Sequence, residues 1–286
     1  MRRLALVVGA GGQLGEAMTD QLGARHEVVA VTRSTLDVTD TAAVRAFVHA
    51  VSPDVIVNCS AYTNVDGAET QSLEALQVNA MAVRALARAA GEADAALVHY
   101  STDFVFDGRT DRPYTEDDAP NPRGAYAMSK LLGEWFAAEA PKHYVLRVAS
   151  LFGGVKRHSS IDKILASLRS DAPVRAFADR TVSPSFVDDV VSATAALIER
   201  GAPYGLYHCV NTGWTTWAGI AHEVARLAGR PDAAIEETRM ADAALLASRP
   251  LFAALSNAKL TAAGITMPTW EDALRRYVAT NARGRC

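Results

Sequence analysis

The chain has 286 residues, of which 49% are apolar and 21% charged, with a formal net charge of −3. That length fits one large α/β unit, or a nucleotide-binding unit carrying a smaller lobe, and it buries enough surface to fold without disulfide or metal staples. The near-neutral charge gives no electrostatic case for nucleic acid or an anionic membrane as partner.

In chain order, Leu4–Val8 reads as a buried strand, Gln13–Leu22 as a helix and Glu27–Val31 as a second strand. Thr41–Val51 is helical with Asp40 as N-cap and Pro53 beyond its end. Val55–Cys59 is a third strand, Leu73–Ala90 one long helix closed by Gly91, and Ala96–Tyr100 a fourth strand. A helix over Tyr126–Glu139 and a strand over Tyr144–Ala149 complete the first half. The alternation predicts βαβ units and a doubly wound, Rossmann-type parallel sheet. Beyond residue 150 the rhythm loosens. Helices are expected over Ile161–Arg169, Val187–Glu199, Trp217–Leu227 and Trp270–Ala279, with an extended stretch Ala172–Pro184, a strand Gly205–Val210 and a frayed tail Arg283-Gly284-Arg285-Cys286. The division expected is residues 1–150 as a dinucleotide-binding domain and 151–286 as a smaller C-terminal substrate-binding lobe, partly interleaved with the first. The short apolar run after Met1-Arg2-Arg3 ends in a glycine turn, as a first strand does and a signal peptide does not. Cys59, Cys209 and Cys286 stand in unrelated contexts, and Glu16 has no acidic cluster around it. No disulfide framework, metal site or spanning segment is therefore expected, and a reducing cytoplasm fits.

Gly9-Ala10-Gly11-Gly12-Gln13-Leu14-Gly15 lies between the first strand and the first helix. Glycines at that spacing permit a tight turn, close approach to a pyrophosphate and tight helix-on-strand packing. The second strand ends in Thr32-Arg33-Ser34, with no carboxylate until Asp37. An acidic residue there would hold a ribose 2′-hydroxyl and an arginine a 2′-phosphate, so Arg33 favours NADPH over NADH. The alternative for Arg33 is a solvated surface cation. Asp37 and Val38 are placed by the adenine, and Ala61, Tyr62 and Thr63, after the third strand, by the cofactor's middle. Asn79 reads equally as a packing amide or a functional one.

Tyr126 and Lys130 stand four residues apart, so on a helix they share a face, where an ammonium can favour phenol ionisation. The fourth strand leads into Ser101-Thr102-Asp103, and a hydroxyl there can polarise a substrate carbonyl opposite a phenol. Thr102 is preferred to Ser101; the plain alternative is a turn that only ends the strand.

Together these features resemble an extended short-chain dehydrogenase/reductase. Gly12-Gln13-Leu14-Gly15, Leu36-Asp37-Val38-Thr39-Asp40, Ala61-Tyr62-Thr63-Asn64-Val65-Asp66, Ser101 to Gly108, Gly205-Leu206-Tyr207-His208, Arg249-Pro250 and Leu255 to Leu260 resemble the dTDP-4-dehydrorhamnose reductase family over nearly the whole chain. The resemblance implies hydride transfer from NADPH to the C4 ketone of a nucleotide-linked 4-keto-6-deoxyhexose. Tyr126 would be the acid, Lys130 the holder of the nicotinamide ribose that lowers the tyrosine pKa, and Thr102 the carbonyl's partner. Cofactor contacts would map onto Gly12, Gln13, Leu14, Asp37, Val38, Ala61, Tyr62 and Thr63, with Tyr126 and Lys130 shared. Thr102, Asp103, Leu151 and Arg249 would face the sugar nucleotide, and a homodimer is compatible with the pattern. Phe104, Ala127 and Leu151 depart from the family's usual tyrosine, glycine and tryptophan, which predicts an altered, more apolar sugar pocket. A non-catalytic NADP-binding subunit and a nucleotide-sugar epimerase are the competing readings. A dehydratase would carry a second acid where Phe104 stands.

Overall fold

A computed structural model describes residues 3–156 and 158–283; the predicted Gly284-Arg285-Cys286 tail lies outside them. The first half runs β1 (Leu4–Val8), α1 (Gln13–Gly23), β2 (Glu27–Val31), α2 (Thr41–Val51), β3 (Val55–Asn58), two short helices α3 (Gly67–Thr70) and α4 (Ser72–Leu76), α5 (Ala82–Glu92), β4 (Ala96–Thr102), α6 (Ala125–Ala137) and β5 (His143–Val148). The second half runs β6 (Leu151–Phe152), α7 (Ser160–Arg169), β7 (Val174–Phe177), β8 (Thr181–Val182), β9 (Ser185–Phe186), α8 (Val187–Arg200), β10 (Gly205–His208), β11 (Thr215–Thr216), α9 (Trp217–Leu227), β12 (Ile235–Thr238), β13 (Phe252–Ala253), α10 (Ala258–Ala262) and α11 (Trp270–Arg283).

Six strands form one parallel sheet in the order β10-β5-β4-β3-β1-β2. Residues alternate between its faces. Ala5, Val7, Val55, Val57, Val98 and Leu146 look toward α1 and α8, while Leu6, Val8, Ile56, Leu97 and Val145 look toward α2 and α5. Strands covered on both faces read as unbroken apolar runs, which is why Leu4–Val8 and Val55–Val57 were recognisable. The chain leaves β1 for β2 on one side and returns to β3 on the other, so the strand order reverses between β1 and β3. That reversal opens a crevice at the carboxyl ends of the strands. A separate apolar cluster binds α7, α9, α11 and β7 into the smaller lobe through Ile161, Leu165, Ile220, Val224, Leu274 and Tyr277. α8 and β10 come from the second half of the chain yet complete the sheet layer.

The single helix expected over Leu73–Ala90 is interrupted. A π-helical turn, Gln77–Met81, separates α4 from α5. The extra residue of a π turn falls where Asn79 is fully buried and bonded to other parts of the chain. Gly91 lies inside α5 rather than closing it, and Asp94 (φ +56°) supplies the left-handed residue just beyond. β3 stops at Asn58, whose side-chain oxygen accepts from the Ser60 amide (3.1 Å) and hydroxyl (2.6 Å) and turns the chain. β4 runs on to Thr102, which places the hydroxyl in the strand's last position. The Ala172–Pro184 stretch holds β7 and β8, and α11 extends four residues past the predicted end.

Candidate active site

The crevice between β1 and β3 is a cleft of about 440 Å³. Gly9, Gly11 and Gly12 line it, with Arg33, Asp37, Val38, Ala61 and Tyr62. Gly9 has φ +78°, and a Cβ there would stand 2.7 Å from the Ser60 amide nitrogen; only glycine lets the two loops approach so closely. Both the Gly9 and Ala10 amides donate to the Val31 carbonyl, at 3.0 and 2.9 Å, which pins the turn to β2. α1 begins at Gln13, and among the described residues no side chain caps it; its N-cap, Gly12, is part of the cleft wall. Bare backbone at a helix start, beside a cleft lined by both the glycine turn and an arginine, fits a dinucleotide. Among the remaining cofactor candidates, Gln13 turns its amide to the Gly153 carbonyl (2.7 Å), Leu14 packs into the core, Gly15 sits against the Gly9 carbonyl, and Thr63 is exposed. These four stand outside the cleft wall. Asp37 is occupied locally, accepting from the amide (3.0 Å) and hydroxyl (2.7 Å) of Thr39, bonds that hold its pKa down.

The second cluster gathers at the end of β4 and the start of α6. Successive residues of a strand face opposite ways, and here that separates the two hydroxyl candidates. Ser101 donates to Glu134 (2.5 Å) within the core. Thr102 points the other way, lies beside the Tyr126 phenol, and donates to Asp103 Oδ1 at 2.9 Å. Thr102 also accepts from the Phe104 amide (3.2 Å), so the hydroxyl ends the strand and faces the phenol at once. Phe104 meets Tyr126 edge-on, ring centroids 5.6 Å apart.

Lys130, one helical turn beyond Tyr126, is 3% exposed and donates to the Tyr100 carbonyl at 2.6 Å. Burial pulls its pKa down to about 8, against the opposing charge of Glu134. Tyr126 does not show the lowered pKa predicted from the lysine spacing. Burial pushes the phenol up to about 12; the nearby Thr102 hydroxyl opposes this and the neighbouring Asp103 charge adds to it. The ammonium is taken up by the Tyr100 carbonyl. Asp103 is 2% exposed, its Oδ2 has no hydrogen-bond partner among the described residues, and burial raises its pKa to about 6 against the pull of Arg180.

Asn79 joins the two clusters. Its side chain accepts from the Tyr62 amide (2.9 Å), donates to the Tyr62 carbonyl (3.1 Å), and donates to Ser129 (3.0 Å) beside Lys130. Of the two readings open for Asn79, the observed one is a clamp on the cleft wall. Behind α6, Arg147 forms a two-pronged pair with Glu134, Nε to Oε1 at 2.8 Å and Nη2 to Oε2 at 2.7 Å, both residues buried. Leu151 is half-buried against the sheet core.

Arg249, from the smaller lobe, grips Asp66 of the β3 loop through two bonds of 3.0 and 2.7 Å. These bonds hold the Asp66 carboxyl down at about 2. Arg249 also lines a second cavity, of about 410 Å³, with Lys163, Arg175, Phe177, Arg180 and Trp217. Neither Arg180 nor Lys156, which donates to the Gly11 carbonyl over the glycine turn, was found from sequence. Both lie in irregular segments with no motif or period to mark them.

A Rossmann-type sheet with a glycine turn at its switch point, and a Tyr-x-x-x-Lys helix beside a strand-end hydroxyl, define the class of nicotinamide-dependent short-chain oxidoreductases. Residues 2–283 match the family described as RmlD substrate binding domain, and the chain belongs to that family. It is 37% identical over 277 residues to a dTDP-4-dehydrorhamnose reductase of Streptomyces griseus, covering 94% of this chain and 91% of that one. It is 35% identical over 274 residues to a probable dTDP-4,6-dihydroxy-2-methyloxan-3-one 4-ketoreductase of Streptomyces antibioticus, covering 94% and 92%. Among solved structures, a dTDP-4-dehydrorhamnose reductase of Bacillus anthracis in complex with NADP superposes with a TM-score of 0.93 at 29% identity, covering 98% of this chain and all of that one. A UDP-glucose 4-epimerase of Thermus thermophilus, at 20% identity and a TM-score of 0.83, shares the fold alone.

Proposed function

We propose that this chain reduces the C4 ketone of a dTDP-linked 4-keto-6-deoxyhexose with NADPH. The observation that carries this reading is Thr102 facing Tyr126, with Lys130 one turn on, at the end of the strand next to the switch-point cleft. The names of the relatives support it.

Bound in the cleft, NADPH supplies the hydride. Gly9, Gly11, Gly12 and the α1 amides would cradle its pyrophosphate, and Arg33 would meet the 2′-phosphate. A phenol held at about 12 stays protonated at neutral pH, which is the form needed to give a proton to a developing alkoxide. Thr102, its hydroxyl turned from Asp103 to the substrate, and Tyr126 would both donate to the carbonyl oxygen, and each hydrogen bond would gain strength as charge grows there. Lys130, at about 8 and mostly protonated near pH 7, would hold the nicotinamide ribose and offset the phenolate left behind. Asp103 and Arg249 would position the sugar nucleotide, with Leu151 at the pocket's edge. We read residues 1–150 as the NADP-binding unit and 151–286 mainly as the substrate-binding lobe, with α8 and β10 returned to the first.

Tyr126→Phe keeps the ring against Phe104 and removes the acid. Turnover of a dTDP-4-keto-6-deoxyhexose should fall by at least ~10²-fold, with NADPH affinity unchanged. A variant that turns over near the normal rate ends the assignment.

A further inference from the structure

Twelve residues line the cavity beside Arg249, four of them cationic (Lys163, Arg175, Arg180 and Arg249) and none acidic. Two of the four are already paired: Arg249 with Asp66 from outside the wall, and Arg175 with Glu236 at 2.8 Å. Arg180 differs from the rest. It is only 8% exposed, yet its Nε, wholly buried, has no hydrogen-bond partner among the described residues. An arginine withdrawn from water with an idle donor is costly unless something completes it. Its guanidinium lies over the Phe104 ring, 5.2 Å from the centroid, and near the Asp103 carboxylate. Arg180 thus belongs to the cavity wall on one side and to the reacting cluster on the other.

We propose that Arg180 is a specificity-determining residue that takes the diphosphate of the nucleotide sugar, completing its idle donor with a phosphate oxygen. This rests on the nucleotide-sugar reading given above. A guanidinium fork matches a phosphate oxygen pair in a way a point charge cannot. Phe104 is wedged between this guanidinium and Tyr126, so a diphosphate seated on Arg180 sits at a fixed offset from the phenol. Trp217 and Phe177 give the same cavity flat apolar surface for a base. A substrate lacking the diphosphate would leave the buried donor unpaired and be rejected for that reason.

The test is calorimetric titration of dTDP into the NADPH-loaded protein, beside steady-state reduction of a dTDP-4-keto-6-deoxyhexose. Arg180→Met keeps much of the stem's packing and removes the donors; dTDP should bind about 10- to 100-fold more weakly and KM rise in step. Arg180→Lys keeps the charge without the fork and should lose about 3- to 10-fold. NADPH affinity and the thermal midpoint report whether each variant is folded; if Arg180→Met is not, the lysine variant decides. Unchanged dTDP affinity in a folded variant, with the wild type active, overturns the role of Arg180 alone and leaves it a counter-ion to Asp103. A wild type that binds no dTDP and reduces no such sugar overturns both this role and the functional reading.

Discussion

Glu134→Ala would strip the partner from an arginine that is 2% exposed. Among the described residues, Arg147 would keep a 3.4 Å contact to His208 Nε2, the face of Phe106 at 4.9 Å and the charge of Glu116, which is not bonded to it. His208 offers little help, since burial and the arginine itself hold its pKa down at about 3 and it is neutral. Removing one member of a buried pair typically costs about 3–5 kcal/mol, most of it the stranded charge. Ser101 also loses its acceptor, worth about 1 kcal/mol more. Against a typical total stability of about 5–15 kcal/mol, that is a large share, and it corresponds to a fall in melting temperature of roughly 7–10 °C for a domain of this size. Replacing both residues, Glu134→Met with Arg147→Met, removes the stranded charge along with its partner and should recover at least about 2 kcal/mol relative to the single variant. Urea unfolding with linear extrapolation measures all three proteins. The reasoning is refuted if Glu134→Ala costs less than about 1 kcal/mol, or if the double variant is less stable than the single one.

Arg33→Ala should weaken NADPH by about tenfold, the scale of one charge-assisted contact, and leave NADH nearly unchanged; fluorescence titration giving equal losses for both would count against a 2′-phosphate contact. Asp103 has a folded-state pKa of about 6, above its ordinary 3.8, so between those values the folded protein holds the extra proton. The stability this group contributes is therefore lost as pH rises through that window, by up to about 3 kcal/mol. Asp103→Asn carries no such slope and should gain stability on the wild type from pH 4 to pH 7; parallel profiles would show that the carboxyl is not buried as described.

The cofactor end was legible because its determinants are local: an apolar run, glycines at a strand-to-helix turn, and an arginine at the next strand's end. Tyr126 and Lys130 were legible for the same reason, since helical spacing alone puts them on one face. The tyrosine's raised pKa was not, because it comes from burial and the Asp103 charge, both set by packing between β4 and α6. The π turn at Asn79 answers to a loop seventeen residues earlier and to Ser129, fifty residues later. Two-residue strands such as β11, β8 and β13 exist only through their pairing in one small sheet, which no periodicity can report. Arg180 stands directly before β8.

The sheet's chain order also has a consequence during synthesis. β5 ends at Val148, but its neighbour β10 does not begin until Gly205. At a translation rate of roughly 5–20 residues per second, the nascent protein spends about 3–11 s with one side of β5 open. Through that interval a free backbone edge carries Tyr144, Leu146 and Val148, all buried in the finished protein. The α8 layer over that face is still being made as well. A ribosome-bound chain stalled in this interval should therefore engage holdase chaperones more than one released after residue 208.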